Sequence, residues 1–146
     1  MMVEPDETRI MAIDFGMKRI GIALSDSLKF FAYSHTTILN NSKTFIELEK
    51  IIKEKNIIEI VLGIPNETKE SKTSIVNAVQ KFKSTLEKKY SIKVILWDET
   101  YTSAIAQQMI LESVNKKQKR KNKNLLDMQS AAIILQEYLD SLKREN

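Results

Sequence analysis

The chain has no cysteine. That excludes a disulfide framework, a thiolate metal site and a cysteine nucleophile. Its only histidine, His35, falls on a predicted strand and reads as a surface or core residue rather than a ligand. No apolar run approaches the roughly 20 residues that span a bilayer. The first residues, Met1 to Arg9, are polar and acidic, without the basic start and apolar stretch of a signal peptide. A cytoplasmic protein with no membrane contact is the expectation. Three glycines and two prolines are too few for a flexible linker, and 146 residues suit one domain spanning 1–146, with 1–8 as a flexible tail. The 42% hydrophobic content excludes global disorder.

What is present is unevenly distributed. The net charge is +4, yet residues 116–123 alone hold six cations and no acid: Lys116, Lys117, Lys119, Arg120, Lys121 and Lys123. Without those six the remainder carries −2. The protein reads as a mildly acidic globule with one basic loop, over 115–124. Such a run is either a solvated loop or a surface that releases counterions from a nucleic-acid backbone.

The hydrophobic pattern predicts strands over Arg9–Asp14, Ile20–Asp26 and Phe30–Leu39, forming an antiparallel meander. The period then changes. Phe45, Ile46, Leu48, Ile51 and Ile52 share a helical face within 44–55. The nearly continuous hydrophobes of Ile57–Ile64 suit a central parallel strand. A polar loop over 65–73, a helix over 74–89 and a strand over Lys93–Asp98 follow. Thr102 or Ser103 caps a helix to about Val114, and a last helix covers about Leu126–Lys143. The order β-β-β-α-β-α-β-α-α predicts a five-stranded mixed α/β sheet with helices on both faces.

Acidic residues stand where acids are disfavoured. Asp14 ends a buried strand, Asp98 and Glu99 end another, and Asp127 opens the last helix. Each has a local explanation: a turn acceptor, the start of a solvated loop, or a helix N-cap. Together, on three elements, they suggest a site, because in open α/β sheets sites form at the carboxyl ends of parallel strands. Carboxylates converging without histidine or cysteine suit magnesium, which binds through one or two carboxylates plus substrate phosphates. Two such ions, roughly 3.5–4 Å apart, can clamp the attacking and leaving oxygens of a phosphodiester displacement. Lys18 and Arg19 lie close to Asp14, between Gly16 and Gly21, where backbone can approach a ligand.

The segment Asp14-Phe-Gly-Met-Lys-Arg-Ile-Gly-Ile-Ala-Leu-Ser-Asp26 resembles the opening hairpin of the YqgF/RuvX family of RNase H-like nucleases. Val61–Pro65, Leu96–Ser103 and Leu126–Asp140 match further blocks of that family in order and spacing, and a Lys/Arg run before the last block is usual there. The resemblance covers nearly all of residues 9–142. It implies an RNase H-like fold and metal-dependent phosphodiester hydrolysis with Mg2+ or Mn2+. The cellular role it implies is processing of the 5′ end of pre-16S rRNA, with Holliday-junction resolution as the alternative. By position it implies Asp14, Glu99 and Asp127 as catalytic acids, and the same three with Asp98 as metal ligands. Lys18, Arg19 and the basic run would contact a structured nucleic acid, in a monomer or weak homodimer. Thr100 and Tyr101 replace the family's usual arginine and leucine after Glu99, the 66–71 loop lacks glycine, and Met128 replaces a common lysine. No carboxylate is lost. Two other readings stay open: a non-catalytic nucleic-acid-binding module, and the phosphate hairpin of actin-like ATPases, against which the length of one domain argues.

Overall fold

The computed structural model of the chain describes residues 7–64, 73–98 and 122–145. Five strands, β1 (Arg9–Asp14), β2 (Arg19–Ser25), β3 (Ala32–Leu39), β4 (Ile57–Ile64) and β5 (Lys93–Asp98), form one sheet in the order β3-β2-β1-β4-β5. The β1–β2 and β2–β3 pairs are antiparallel; β1–β4 and β4–β5 are parallel. Helices α1 (Thr44–Glu54), α2 (Thr73–Tyr90) and α3 (Asn122–Glu145) complete the described elements. None is long and apolar enough to cross a membrane.

Strand alternation divides the core into two layers. Met11, Ile13, Ile20, Ile22, Leu24, Ile60 and Leu62 face the layer that holds Leu48 and Ile51 of α1 and Val79, Phe82 and Leu86 of α2. Ile10, Ala12, Ala23 and Val61 face the other, which holds Ala131, Ile134, Leu135, Tyr138 and Leu139 of α3. Large β-branched and leucine side chains thus fill the side covered by two helices. Small alanines on the other side let α3 lie close to the sheet. The expected mixed sheet with helices on both faces is what forms.

Several boundaries shift by one or two residues from the sequence pattern, and two element starts shift for a visible reason. The third strand starts at Ala32, not Phe30. The Asp26 carboxylate accepts the N–H groups of Phe30 and Phe31 at 2.8 and 3.0 Å and holds both residues in the turn. Burial would raise the Asp26 pKa, but these two backbone donors and the nearby Arg9 charge outweigh it and hold the carboxyl below its ordinary value. The last helix starts at Asn122 rather than near Leu126. Asn122, Lys123 and Asn124 carry no apolar period, so the pattern alone shows the helix only from its first leucines. Lys123 therefore lies on the helix, not in the basic loop, and Asp127 lies more than a turn inside the helix instead of opening it. The N-terminal tail (1–6), the 65–72 loop, the helix over 102–114 and positions 115–121 lie outside the described residues.

Candidate active site

Asp14 is the last residue of β1, and Asp98 the last of β5. Both strands run parallel to β4, so both carboxyl ends reach the same end of the sheet. The register shows what surrounds Asp14. Its Cα partners are Gly21 on β2 and Gly63 on β4, and Gly63 in turn pairs with Trp97 of β5. The third glycine, Gly16, follows two residues later. All three glycines of the chain therefore gather at this one carboxylate. The register positions on both sides of half-buried Asp14 carry no side chains.

Alternation separates the candidate acids by face. Ile10 and Ala12 belong to the α3 layer, so Asp14 points to the α3 side; Phe15 packs into the other layer. On β5, Trp97 belongs to the α3 layer and Leu96 to the α1/α2 layer. Asp98, exposed and paired in register with Ile64, thus falls on the side opposite Asp14. Glu99, the next residue, lies outside the described residues. On α3, position 127 is one turn before Ser130 and Ala131, both buried. The C-terminal part of α3 lies at the opposite end of the sheet, where Gln136 bonds Ala32 N and Phe30 O at 2.9 and 3.0 Å. The N-terminal part, with Asp127, therefore points toward the Asp14 end. No group of three or more potential metal-binding side chains occurs among the described residues; the side chain of Asp127 is not among them.

The β1–β2 connection is a tight loop of Phe15, Gly16, Met17 and Lys18. The Phe15 ring packs on Phe82 of α2, with centroids 5.0 Å apart. A β-carbon at Gly16 would collide with the carbonyl oxygen of Arg19, so the loop closes only around glycine. Met17, 61% exposed, and Lys18 project to solvent, while Arg19 is half-buried at the start of β2. Asn40, directly after β3, donates its backbone N–H to Lys18 O at 2.9 Å and its side-chain amide to Gly16 O at 2.8 Å. Sequence reasoning passes over Asn40, because an asparagine after a strand reads as an ordinary turn residue. Lys116, Lys117, Lys119, Arg120 and Lys121 lie outside the described residues.

The antiparallel β1-β2-β3 meander followed by parallel β4 and β5, with an acid at the end of β1, is the architecture of RNase H-like nucleases. Solved structures share it. Thermus RuvC ("T. thermophilus RuvC in complex with Holliday junction substrate") superposes with a TM-score of 0.55 at 9% identity, covering 93% of this chain and 96% of that one. The yeast mitochondrial Holliday junction resolvase Ydc2 superposes with a TM-score of 0.55 at 14% identity, covering 94% and 81%. At these identities the likeness is one of fold. Sequence carries the assignment further. Residues 8–141 match the RuvX family, described as Holliday junction resolvases. A protein of Amoebophilus asiaticus named as a pre-16S rRNA nuclease is 39% identical over 137 residues, 93% of this chain and 96% of that one. One of Bacillus subtilis with the same name is 37% identical over 138 residues, covering 92% and 99%. The chain belongs to the RuvX family and is a nuclease of the RNase H-like fold.

Proposed function

We propose that this protein is a divalent-metal-dependent endonuclease that hydrolyses phosphodiester bonds of structured RNA and processes the 5′ end of pre-16S rRNA. The relatives above, which align along more than nine-tenths of the chain, support the substrate. Asp14, Glu99 and Asp127 are the catalytic acids in this reading, and Mg2+ or Mn2+ is the metal they hold. Asp98 is the weaker ligand, since alternation turns it to the other face. Lys18, Arg19 and the 116–123 cations bind the phosphate backbone. The whole chain works as one cytoplasmic domain, monomeric or weakly dimeric.

One observation carries the proposal: an acid ends the central strand β1, and glycines occupy both neighbouring register positions. Glycine on both sides lets backbone, rather than side chains, meet a ligand beside Asp14. The donors available there are carboxylate oxygens, the hard ligands that Mg2+ and Mn2+ take. Nucleases of the RuvC-like fold generally work with divalent ions, which supply charge to the reacting phosphate and lower the pKa of a water nucleophile. The chain's own share is different. Asp14 is fixed by strand pairing on both sides, and Lys18 on the adjoining loop offers an ammonium to the substrate backbone.

Holliday-junction DNA is the second reading, favoured by the family's description. Both are tested together. The protein and its Asp14→Asn variant are offered a labelled RNA spanning the 16S leader boundary and a four-way DNA junction, with Mg2+, with Mn2+ and with EDTA. Metal-dependent cleavage of the RNA, lost in Asp14→Asn while binding persists, supports the first reading. Cleavage of the junction alone favours the second. Cleavage that survives Asp14→Asn removes the assigned site, and binding of either substrate with no cleavage by the parent protein leaves only a nucleic-acid-binding module.

A further inference from the structure

The geometry points to Asn40 as a positioning residue for the substrate: we propose that it holds the Phe15–Lys18 loop in the one shape that keeps Lys18 beside Asp14. The inference rests on the reading of Lys18 as a substrate contact. Lysine is a flexible point charge, and an exposed one delivers little binding unless its backbone is fixed beforehand. Here the fixing comes from three directions. Phe15, next to Asp14, is anchored by its ring on Phe82, which itself packs on Phe45 with centroids 5.3 Å apart. Gly16 closes the loop against the carbonyl of Arg19, where a side chain would not fit. The third support is Asn40, reached from across the sheet.

Arg19 pairs with Leu39 at the end of the β2–β3 ladder. The backbone N–H of Asn40 extends that ladder by one bond, to Lys18 O. Its side-chain amide adds a second bond to the loop, to Gly16 O. A single residue thus satisfies two of the loop's carbonyls, at positions 16 and 18, and tethers the two halves of the turn to the outer strand. The turn that follows Asn40 is itself knotted. Asn41 N donates to Thr44 Oγ1, Thr44 Oγ1 donates to Leu39 O, and Lys43 N donates to Asn41 Oδ1, at 2.9, 2.9 and 2.8 Å. Asn40 therefore presents its amide from a rigid base at the start of α1. The backbone of Lys18 is held, and only its side chain and that of Met17 remain free to reach out. Without the amide, the Gly16 carbonyl turns to water and the loop gains the freedom that glycine allows.

The test uses the Asp14→Asn protein, which removes cleavage from the measurement, and the 16S leader RNA over a series of salt concentrations. In that background Asn40→Ala and Lys18→Ala each weaken binding by about fivefold to tenfold, the worth of one charge-assisted phosphate contact. Each also lowers the salt slope by about 0.7–0.9, one released counterion. The double variant binds no more weakly than Lys18→Ala alone, because Asn40 acts through Lys18. In the cleaving protein, Asn40→Ala raises KM and leaves kcat in place. If Asn40→Ala does not fold, Asn40→Ser takes its place, since its hydroxyl is too short to reach Gly16 O while the backbone bond to Lys18 survives. Should Lys18→Ala weaken binding while Asn40→Ala binds like its parent, or should the two losses add, the positioning role is overturned and the Lys18 contact stands. A Lys18→Ala variant with unchanged affinity and slope overturns both.

Discussion

Trp97 donates its indole N–H to Glu137 Oε2 at 3.2 Å, and its ring meets Tyr138 edge-on with centroids 5.6 Å apart. Trp97 is the next-to-last residue of β5; Glu137 and Tyr138 lie on α3. The Tyr138 hydroxyl in turn donates to Glu59 of β4 at 2.5 Å. These directional bonds matter because the middle of the α3 contact is apolar, with Ala131, Ile134 and Leu135 over Ala12 and Ala23, while the other polar ties, from Gln136 and Lys143 to Phe30 and Ala32, lie toward the far end of the sheet. Apolar burial favours contact without choosing a register. The hydrogen bonds choose it, and they tie the strand that leads to Glu99 to the helix that carries Asp127. Trp97→Phe keeps an aromatic ring and loses the N–H. It is predicted to cost about 1–2 kcal/mol in urea unfolding, and to slow single-turnover cleavage by about tenfold, because small misplacements of reacting groups are expensive. Lost stability with unchanged cleavage would make Trp97 a core residue and nothing more.

The parts of this arrangement that were legible in the sequence are those with an unbroken pattern. Ile57–Ile64 and Lys93–Asp98 read as strands to the residue, because both are apolar runs closed off at their ends. Asp14 was legible as an acid ending a buried strand. What pairs with it across the sheet was not: Gly21 lies in the same hairpin, but Gly63 comes from a strand 49 positions later, and no local pattern encodes register across a crossover. The facing of Asp98 away from Asp14 follows from alternation once β5 is anchored by Val94 and Leu96 in one layer and Trp97 in the other. The start of α3 was hidden because Asn122–Asn124 continue the polar composition of the basic run. Asn40 was invisible because its two acceptors lie 22 and 24 positions earlier in the chain.

Gly16→Ala tests the shape of the β1–β2 loop directly. The new methyl group meets a backbone oxygen, that of Arg19, which cannot rotate away as a side chain would. The loop must open, at a cost of about 1–3 kcal/mol typical of overpacking. Lys18 and Asp14 then lose their fixed relation, and kcat/KM for the leader RNA falls by about tenfold or more. Thermal unfolding and cleavage rates on the same preparation check both halves. An alanine that leaves both unchanged would show that the loop is free to rearrange.

His35 gives a pH dependence unconnected with cleavage. It is the extra residue of a β-bulge on edge strand β3: Ile22 pairs with Thr36 and Ala23 with Ser34. Burial pushes its imidazole below the ordinary 6.5, Lys55 pushes the same way, and Glu54 opposes both. The folded state therefore takes up the proton less readily than the unfolded chain. The stability held by neutral His35 is complete above 6.5 and is lost as pH falls through the folded-state value. His35→Gln cannot take up that proton, and urea unfolding between about pH 7.5 and 5 is predicted to show a shallower acid slope than the parent. Parallel slopes for the two proteins would mean that His35 titrates alike folded and unfolded.

The charge of the chain makes the last prediction. Removing residues 116–123 from the +4 total leaves −2, so attraction to a polyanion depends on six side chains adjoining the start of α3. Lys123 lies on that helix, four positions before Asp127. In the proposed reading, a phosphate backbone drawn to these cations is brought toward the acids of the site. Replacing all six by glutamine is predicted to weaken RNA binding and to lower the salt slope by up to about 4–5, if each cation meets a phosphate. The unfolding midpoint is predicted to stay in place, because the two apolar layers among the described residues draw on no lysine or arginine. Cleavage at saturating RNA persists, because the carboxylates are untouched, while KM rises steeply with salt in the parent and only weakly in the variant. Unchanged affinity and slope would place the binding surface on Lys18, Arg19 and the body of the domain, and would reduce the run to a solvated loop.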